Sequence, residues 1–400
     1  MPLYIVTVSR NLLNQPLTWQ NGEVRKYSDE GELLAVQISE PEVSPASWGG
    51  QGAYDPETGL FWYTMFADPY ADPGSTYVGS FRANPVSDPA RPFVLGPRFN
   101  VETTVAFSQV RFDQDKEPYD VPLAQAESLL LGPDGLLYVG FQQRFWGEVG
   151  VEDEQWRPMR TFTQDGTPEG VFNDPVRTFG WSQWGHQNLA WLDWGKTIIF
   201  TDETRMVKVI DVESGEISLF CDVYGTAPEG FRVRGEIPGA SYEDNPRSPT
   251  GLAGASYRVA VSHKKGRVYV CIPIFSTSTG LSFIGISVWD FAGNHCVTFR
   301  TAGPGTAYGI ELSEDDSWLW VMDSLLVSSG SSAGDAAYTP RVYRMDAWSG
   351  DGLDEPLLEH VTANGRFSSL MMTERVPWGN IPVEMQGNER SEGVRFEGAE

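Results

Sequence analysis

Apolar and polar positions along this chain form a unit that recurs: a polar turn, then a short apolar strand rich in Tyr, Trp, Phe and Val. It reads TGLFWYTMF (Thr58–Phe66), PDGLLYVGF (Pro133–Phe141), WGKTIIFTD (Trp194–Asp202), KKGRVYVCI (Lys264–Ile272) and EDDSWLWVM (Glu314–Met322). A sixth apolar strand, LYIVTVS, opens the chain at Leu3. Such repetition is the mark of one supersecondary unit used as an array.

The clearest unit runs from Asn188 to Val223 and parses as four strands: Asn188–Leu192, Thr197–Thr201, Met206–Asp211 and Glu216–Val223. Gly and Asp fall at the turns between them, where a positive φ or a side-chain-capped turn is needed. MVKVID and ISLFCD alternate with period two, as half-buried strands do. A four-stranded antiparallel meander of this length is one propeller blade. Tyr257–Val261, Arg267–Ile272, Ile284–Phe291 and Cys296–Thr301 make a second blade. Gly309–Leu312, Trp318–Asp323, Arg341–Asp346 and Leu357–Val361 make a third, with an exposed Ser/Gly/Ala-rich insertion at Ser328–Ala337. Gln51–Leu95 gives a Pro-rich blade, and Leu129–Phe162 one that is harder to close. Residues 101–126 read as an extra strand pair and an acidic loop.

The termini complete the count. Residues 3–39 offer three strands without a first partner, and Arg366–Thr373 is a lone strand. Pairing them makes a sixth blade and removes the two sheet edges of an open array. The chain is therefore expected to be all-β: a six-bladed β-propeller in one domain over residues 1–380, its ring closed by N- and C-terminal strands in one blade. Its blades fall at about 1–40 plus 365–375, 46–100, 127–170, 185–225, 249–301 and 305–362, with a polar acidic tail at 381–400.

Composition narrows the function. A formal charge of −25 argues against a nucleic-acid partner, which needs clustered Lys and Arg. No stretch approaches the length of an apolar membrane span, and no secretory leader is visible at the N-terminus. Only six of the 29 basic residues are Lys, a bias that fits a GC-rich genome. Cys221, Cys271 and Cys296 each lie in a strand-like run and are expected to be buried free thiols.

Candidate chemistry is sparse. Inner strands line a propeller's channel, and Asn188 begins one of them. With His186, Trp181 and Trp184 just before it (WSQWGHQN), it forms the best candidate for a ligand-contact patch. The competing reading is that these aromatics pack between blades and His186 is structural. His186, His263, His295 and His360 fall in different units and show no metal spacing. Asp113, Asp115 and Asp120 read as a solvated loop. No nucleophile elbow or phosphate-cradling loop is present.

NLAW, WGKTIIFTDE and VIDVESGEI in the blade Asn188–Val223, with PDGLLYVGF and GTAYGIELSEDDSWLWVMDS, resemble six-bladed propellers of the gluconolactonase, SMP-30 and NHL-like group. The resemblance covers about half the chain and implies the fold more than the reaction. Members with lactonase activity hold one divalent metal on the axis with a Glu, an Asn and an Asp. Asn188 matches that Asn. Gly50, Gln51 and Gly52 stand where the Glu belongs, and Thr250 or Tyr308 where the Asp belongs. Two of three ligands are missing, and hard cations want carboxylate charge.

The sequence thus points to a non-enzymatic structural or binding module with no cofactor and no metal. Its expected partners are other proteins within a larger assembly, with a surface glycan or receptor left open. Its acidity, odd thiol number and Arg bias suit a virion component of a phage, at the tail or capsid surface, that mediates protein contact or host attachment. The alternative is a diverged metal-dependent lactonase-like hydrolase.

Overall fold

The computed structural model describes residues 2–10, 19–38, 52–66, 76–86, 88–89, 91–101, 124–143, 159–172, 188–201, 205–236, 258–305, 307–328, 337–359 and 367–375. Among them every regular element is a strand. Blade 1 contains β1 (Leu3–Arg10), β2 (Trp19–Tyr27) and β3 (Leu33–Ile38). Blade 2 contains β4 (Gly52–Asp55), β5 (Leu60–Phe66), β6 (Thr76–Ala83), β7 (Phe93–Leu95) and the short β8 (Phe99–Asn100). Blade 3 is β9 (Ala124–Leu131), β10 (Leu137–Gln143), β11 (Met159–Phe162) and β12 (Pro168–Phe172). Blade 4 is β13 (Asn188–Asp193), β14 (Thr197–Thr201), β15 (Met206–Asp211) and β16 (Ile217–Asp222). Blade 5 is β17 (Phe231–Val233), β18 (Arg258–Ser262), β19 (Arg267–Ser276), β20 (Ser282–Asp290) and β21 (His295–Arg300). Blade 6 is β22 (Ala307–Leu312), β23 (Trp318–Ser328), β24 (Ala337–Asp346) and β25 (Leu358–Glu359). The last strand, β26 (Phe367–Thr373), returns to blade 1.

Each blade is an antiparallel meander, and the order β26-β1-β2-β3 closes the ring with strands from both ends of the chain. The closing pair runs without a slip from Leu3↔Thr373 to Ser9↔Phe367. This six-bladed propeller is the expected architecture.

Packing explains why the anchor strands look continuously apolar. Adjacent side chains enter opposite blade junctions. Leu3 and Ile5 pack with Trp320 and Met322 between blades 1 and 6, while Tyr4 packs with Phe61 and Phe81 between blades 1 and 2. Trp62 turns the other way, against Leu129 and Val139 of blade 3. The remaining junctions are filled in the same manner, from Tyr138 with Trp191 to Val207 with Val270 and Tyr269 with Leu319. A strand buried on both faces needs apolar residues at every position, so the period-two signal is overwritten. Polar stitches cross the junctions too: Trp191 Nε1 donates to Leu131 O (2.9 Å) and Tyr269 Oη to Ala347 O (2.5 Å).

Some expectations change. The inner edge of blade 5 is made of two pieces, because β17 pairs with the far end of β19 beyond β18. β23 and β24 run further than Asp323 and Arg341, so that Ser328 and Ala337, expected as the ends of a loop, are themselves paired. Blade 3 closes with β12, past Phe162. Cys221 and Cys271 are buried, but Cys296 is exposed because β21 is an outer strand. Of the extra strand pair and acidic loop expected at 101–126, residues 102–123, with Asp113, Asp115 and Asp120, lie outside the described residues, as does the tail at 381–400, while Ala124–Ala126 instead open β9.

Candidate functional site on the propeller axis

The inner strands of blades 2 to 6 are each followed by a turn with one left-handed residue: Gly59 (φ 68°), Gly135 (φ 75°), Gly195 (φ 71°), Gly266 (φ 60°) and, in blade 6, Asp316 (φ 58°). Glycine takes this conformation freely, while a residue with a Cβ gives up about 1 kcal/mol. Asp316 is the one non-glycine with positive φ among the described residues. Counting five residues back from that turn position gives Tyr54, Leu130, Ala190, Val261 and Glu311. All five line one cavity of about 70 Å³ at the centre of the ring, and Met372, Thr373 and Arg375 complete its wall from blade 1. Four blades offer an apolar or aromatic side chain to this layer, and blade 6 offers a carboxylate.

Glu311 is placed there by the alternation of β22. Ile310 and Leu312 enter the apolar junction with blade 5, so the side chain between them turns to the cavity. Burial pushes its carboxyl up to about 7; the Arg375 guanidinium and the Leu312 backbone N–H pull it partly back, and Asp316 adds a smaller upward push. The tie between Arg375 and Asp316 explains the aspartate in the turn. Arg375 donates from Nε to Asp316 Oδ1 (2.8 Å) and from Nη2 to Val261 O (2.8 Å). Asp316 Oδ2 accepts from Ser262 Oγ (2.8 Å). Both partners of this ion pair are buried. Thr373 Oγ1 adds a bond to Leu312 O (3.2 Å). Blades 1, 5 and 6 are thereby clasped where the ring closes.

His263, in the blade 5 turn beside this clasp, donates from Nε2 to Leu192 O (3.1 Å), which leaves Nδ1 as a buried lone pair without a partner. Burial first, then the nearby Arg375, pushes its pKa down to about 4, so it is neutral at pH 7. Among the described residues the site therefore holds one carboxylate without a side-chain hydrogen bond, one satisfied ion pair and a neutral imidazole, in walls of Leu130, Leu189, Ala190, Val259 and Met372.

Of the patch expected from sequence, Asn188 heads β13 and is buried; its Oδ1 accepts the Val259 N–H of blade 5 at 2.6 Å. Trp181, Trp184 and His186 lie outside the described residues. Of the residues aligned with the family's metal, Gly50, Gln51 and Thr250 lie outside the described residues. The Asn188 amide oxygen is spent on Val259, and a Cβ on Gly52 would meet Met372 Sδ at 2.1 Å and Trp62 O at 2.7 Å, so no acid fits there. Among the described residues no three His, Cys, Asp or Glu side chains are grouped so that they could hold a metal ion.

Glu311, Asp316 and Arg375 are not evident from motifs. One signal was present: EDD in blade 6 stands where PDG stands in blade 3, an aspartate at a glycine position. The role of Arg375, beyond the last strand, has no local sequence signature.

Strand pairing and the axial layer define the protein as a six-bladed β-propeller. No protein-family model matches the chain, and no curated protein matches it significantly in sequence. Solved structures similar to it include the C-terminal WD40 domain of Sif2, at 10% identity and TM-score 0.35, covering 78% of this chain and 72% of that one. Another is the Dos1 propeller, at 13% identity and TM-score 0.37, covering 80% of this chain and 64% of that one. These are distant likenesses, and the fold assignment stands on the strand order.

Proposed function

We propose that this propeller is a non-enzymatic module for protein–protein contact, working as a component of a larger assembly. The observation that carries it is Trp348. It sits at a turn of blade 6 with 61% of its surface exposed. Arg267 lies over its ring at 4.4 Å and Lys265 at 5.9 Å. Its turn is fixed by Asp346, whose carboxylate accepts the N–H groups of Trp348 and Ser349 (both 2.8 Å). Phe291 and Val86 are exposed on the corresponding turns of blades 5 and 2. A held, solvent-facing Trp stacked by Arg is the composition of an interface anchor. The acidic charge and Arg bias support placing that assembly in a phage particle, at its tail or capsid surface.

Glu311 favours the second reading, a diverged hydrolase of the gluconolactonase type, because a carboxyl poised near pH 7 suits acid–base work. Among the described residues it is the one carboxyl lining a small cavity, so the binding module is preferred. Native mass in a crude lysate of the source tests the choice. The module runs far above its 44.4 kDa and Trp348→Ala drops it to that mass. A 44.4 kDa species that hydrolyses a small lactone, and loses this with Glu311→Gln, would overturn it.

A further inference from the structure

We infer that the axial cavity takes a primary alkylammonium group, carried on a lysine side chain of the protein partner, with Glu311 as its counter-ion. The inference rests on the binding-module reading for the source of the amine, and on the cavity alone for its chemistry.

Charge comes first. Among the described residues the ionisable side chains facing the cavity are Glu311, Arg375 and the neutral phenol of Tyr54, with Asp316 and His263 behind. Arg375 and Asp316 cancel in their ion pair and His263 is neutral, which leaves the single charge of Glu311. One negative charge in walls of Leu, Val, Ala and Met calls for a monovalent cation with an apolar stem. Beyond Cβ, a lysine is a run of methylenes ending in an ammonium. Size agrees. A water needs roughly 10–15 Å³ of such space, so 70 Å³ holds about five water-sized groups. A guanidinium is broader and needs a fork of acceptors, whereas Glu311 is one carboxylate. A divalent ion needs several oxygen ligands, and the carboxylate of Asp316 is committed to Arg375 and Ser262.

Calorimetric titration of the full chain at pH 8 tests this, with n-butylammonium as probe and n-butanol as its uncharged counterpart. The expected result is saturable binding of n-butylammonium, weaker by about tenfold or more for n-butanol and for Glu311→Gln, the range of a charge-assisted contact. Ala190→Leu fills the same layer without touching the carboxylate and is expected to block the probe, so the test survives if one variant misfolds. Melting curves verify the fold of each. Absence of saturable binding, or equal affinity in Glu311→Gln, overturns the inference. A native-mass measurement separates the two readings. If n-butylammonium and Glu311→Gln both dissolve the native assembly, the amine is a partner lysine. If the probe binds and the assembly is indifferent, the cavity serves a free small amine and its chemistry stands. A probe that binds a chain found only at 44.4 kDa sinks the module reading alone. An intact assembly whose propeller ignores the probe sinks the cavity alone.

Discussion

Blades 4 and 6 are the same unit with different assignments. Both are four-stranded meanders with a left-handed residue after the inner strand. In blade 4 that residue is Gly195, and the side chain five positions earlier is Ala190. In blade 6 they are Asp316 and Glu311. Blade 4 satisfies each local rule. Blade 6 breaks two, a Cβ at positive φ and a carboxylate in the cavity layer; Glu311 faces the axis and Asp316 lies behind it, tied to Arg375 of the cavity wall. Local departures from a repeat mark the place where it does something besides fold.

The largest effect should come from the ring closure. Truncation before Phe367 removes β26 and Arg375, exposes the edge of β1 and opens the junctions held by Met371 and Met372. Loss of the cooperative urea transition is expected; a wild-type transition would contradict the closure.

Next is the clasp. Arg375→Ala leaves Asp316 buried and unpaired, at a cost of about 3–5 kcal/mol. Asp316→Gly relieves the backbone yet strands Arg375, so it should still lose about 2 kcal/mol or more by urea melting. Gly195→Ala in blade 4 should cost about 1 kcal/mol or more, because the left-handed backbone is strained and the new Cβ would meet Pro133 Cγ at 2.8 Å. If Asp316→Gly proves stabilising, the two turns are equivalent and blade 6 is not special.

The pH response separates the two half-buried titrating groups. Glu311 has a raised folded pKa. Its stabilising effect is complete below about 4.5 and fades as pH climbs through about 7, by about 3 kcal/mol between the limits. His263 has a lowered one, so its effect is complete above 6.5 and is lost as pH falls through about 4. The slopes oppose each other between these limits, and wild-type stability should be nearly flat there. Glu311→Gln should raise the melting temperature at pH 8 and uncover the rise with pH due to His263. A flat profile in that variant would remove His263 from the account.

The smallest stability effect belongs to Trp348→Ala, within about 0.5 kcal/mol for a surface turn, although its effect on assembly should be large. Equal loss of fold and assembly would assign Trp348 to structure.

The blades were legible because their turns carry local chemistry. Asp134 accepts the Leu136 N–H (3.1 Å) beside Gly135, and Asp211 accepts the Ser214 N–H (2.7 Å) before Gly215, so the punctuation sits in the residues themselves. The closing of the ring was legible as well, because an unpaired strand at each end has one economical partner. Asn188 was legible as the head of an inner strand, but its bond to Val259 joins residues 71 apart. The same holds for Glu311, Asp316 and Arg375. Sequence by itself determined the unit, its number and its closure, since these follow from short-range pattern. Only the tertiary structure decided which side chains meet on the axis, because five inner strands and the end of a sixth converge there from distances along the chain that no local pattern spans.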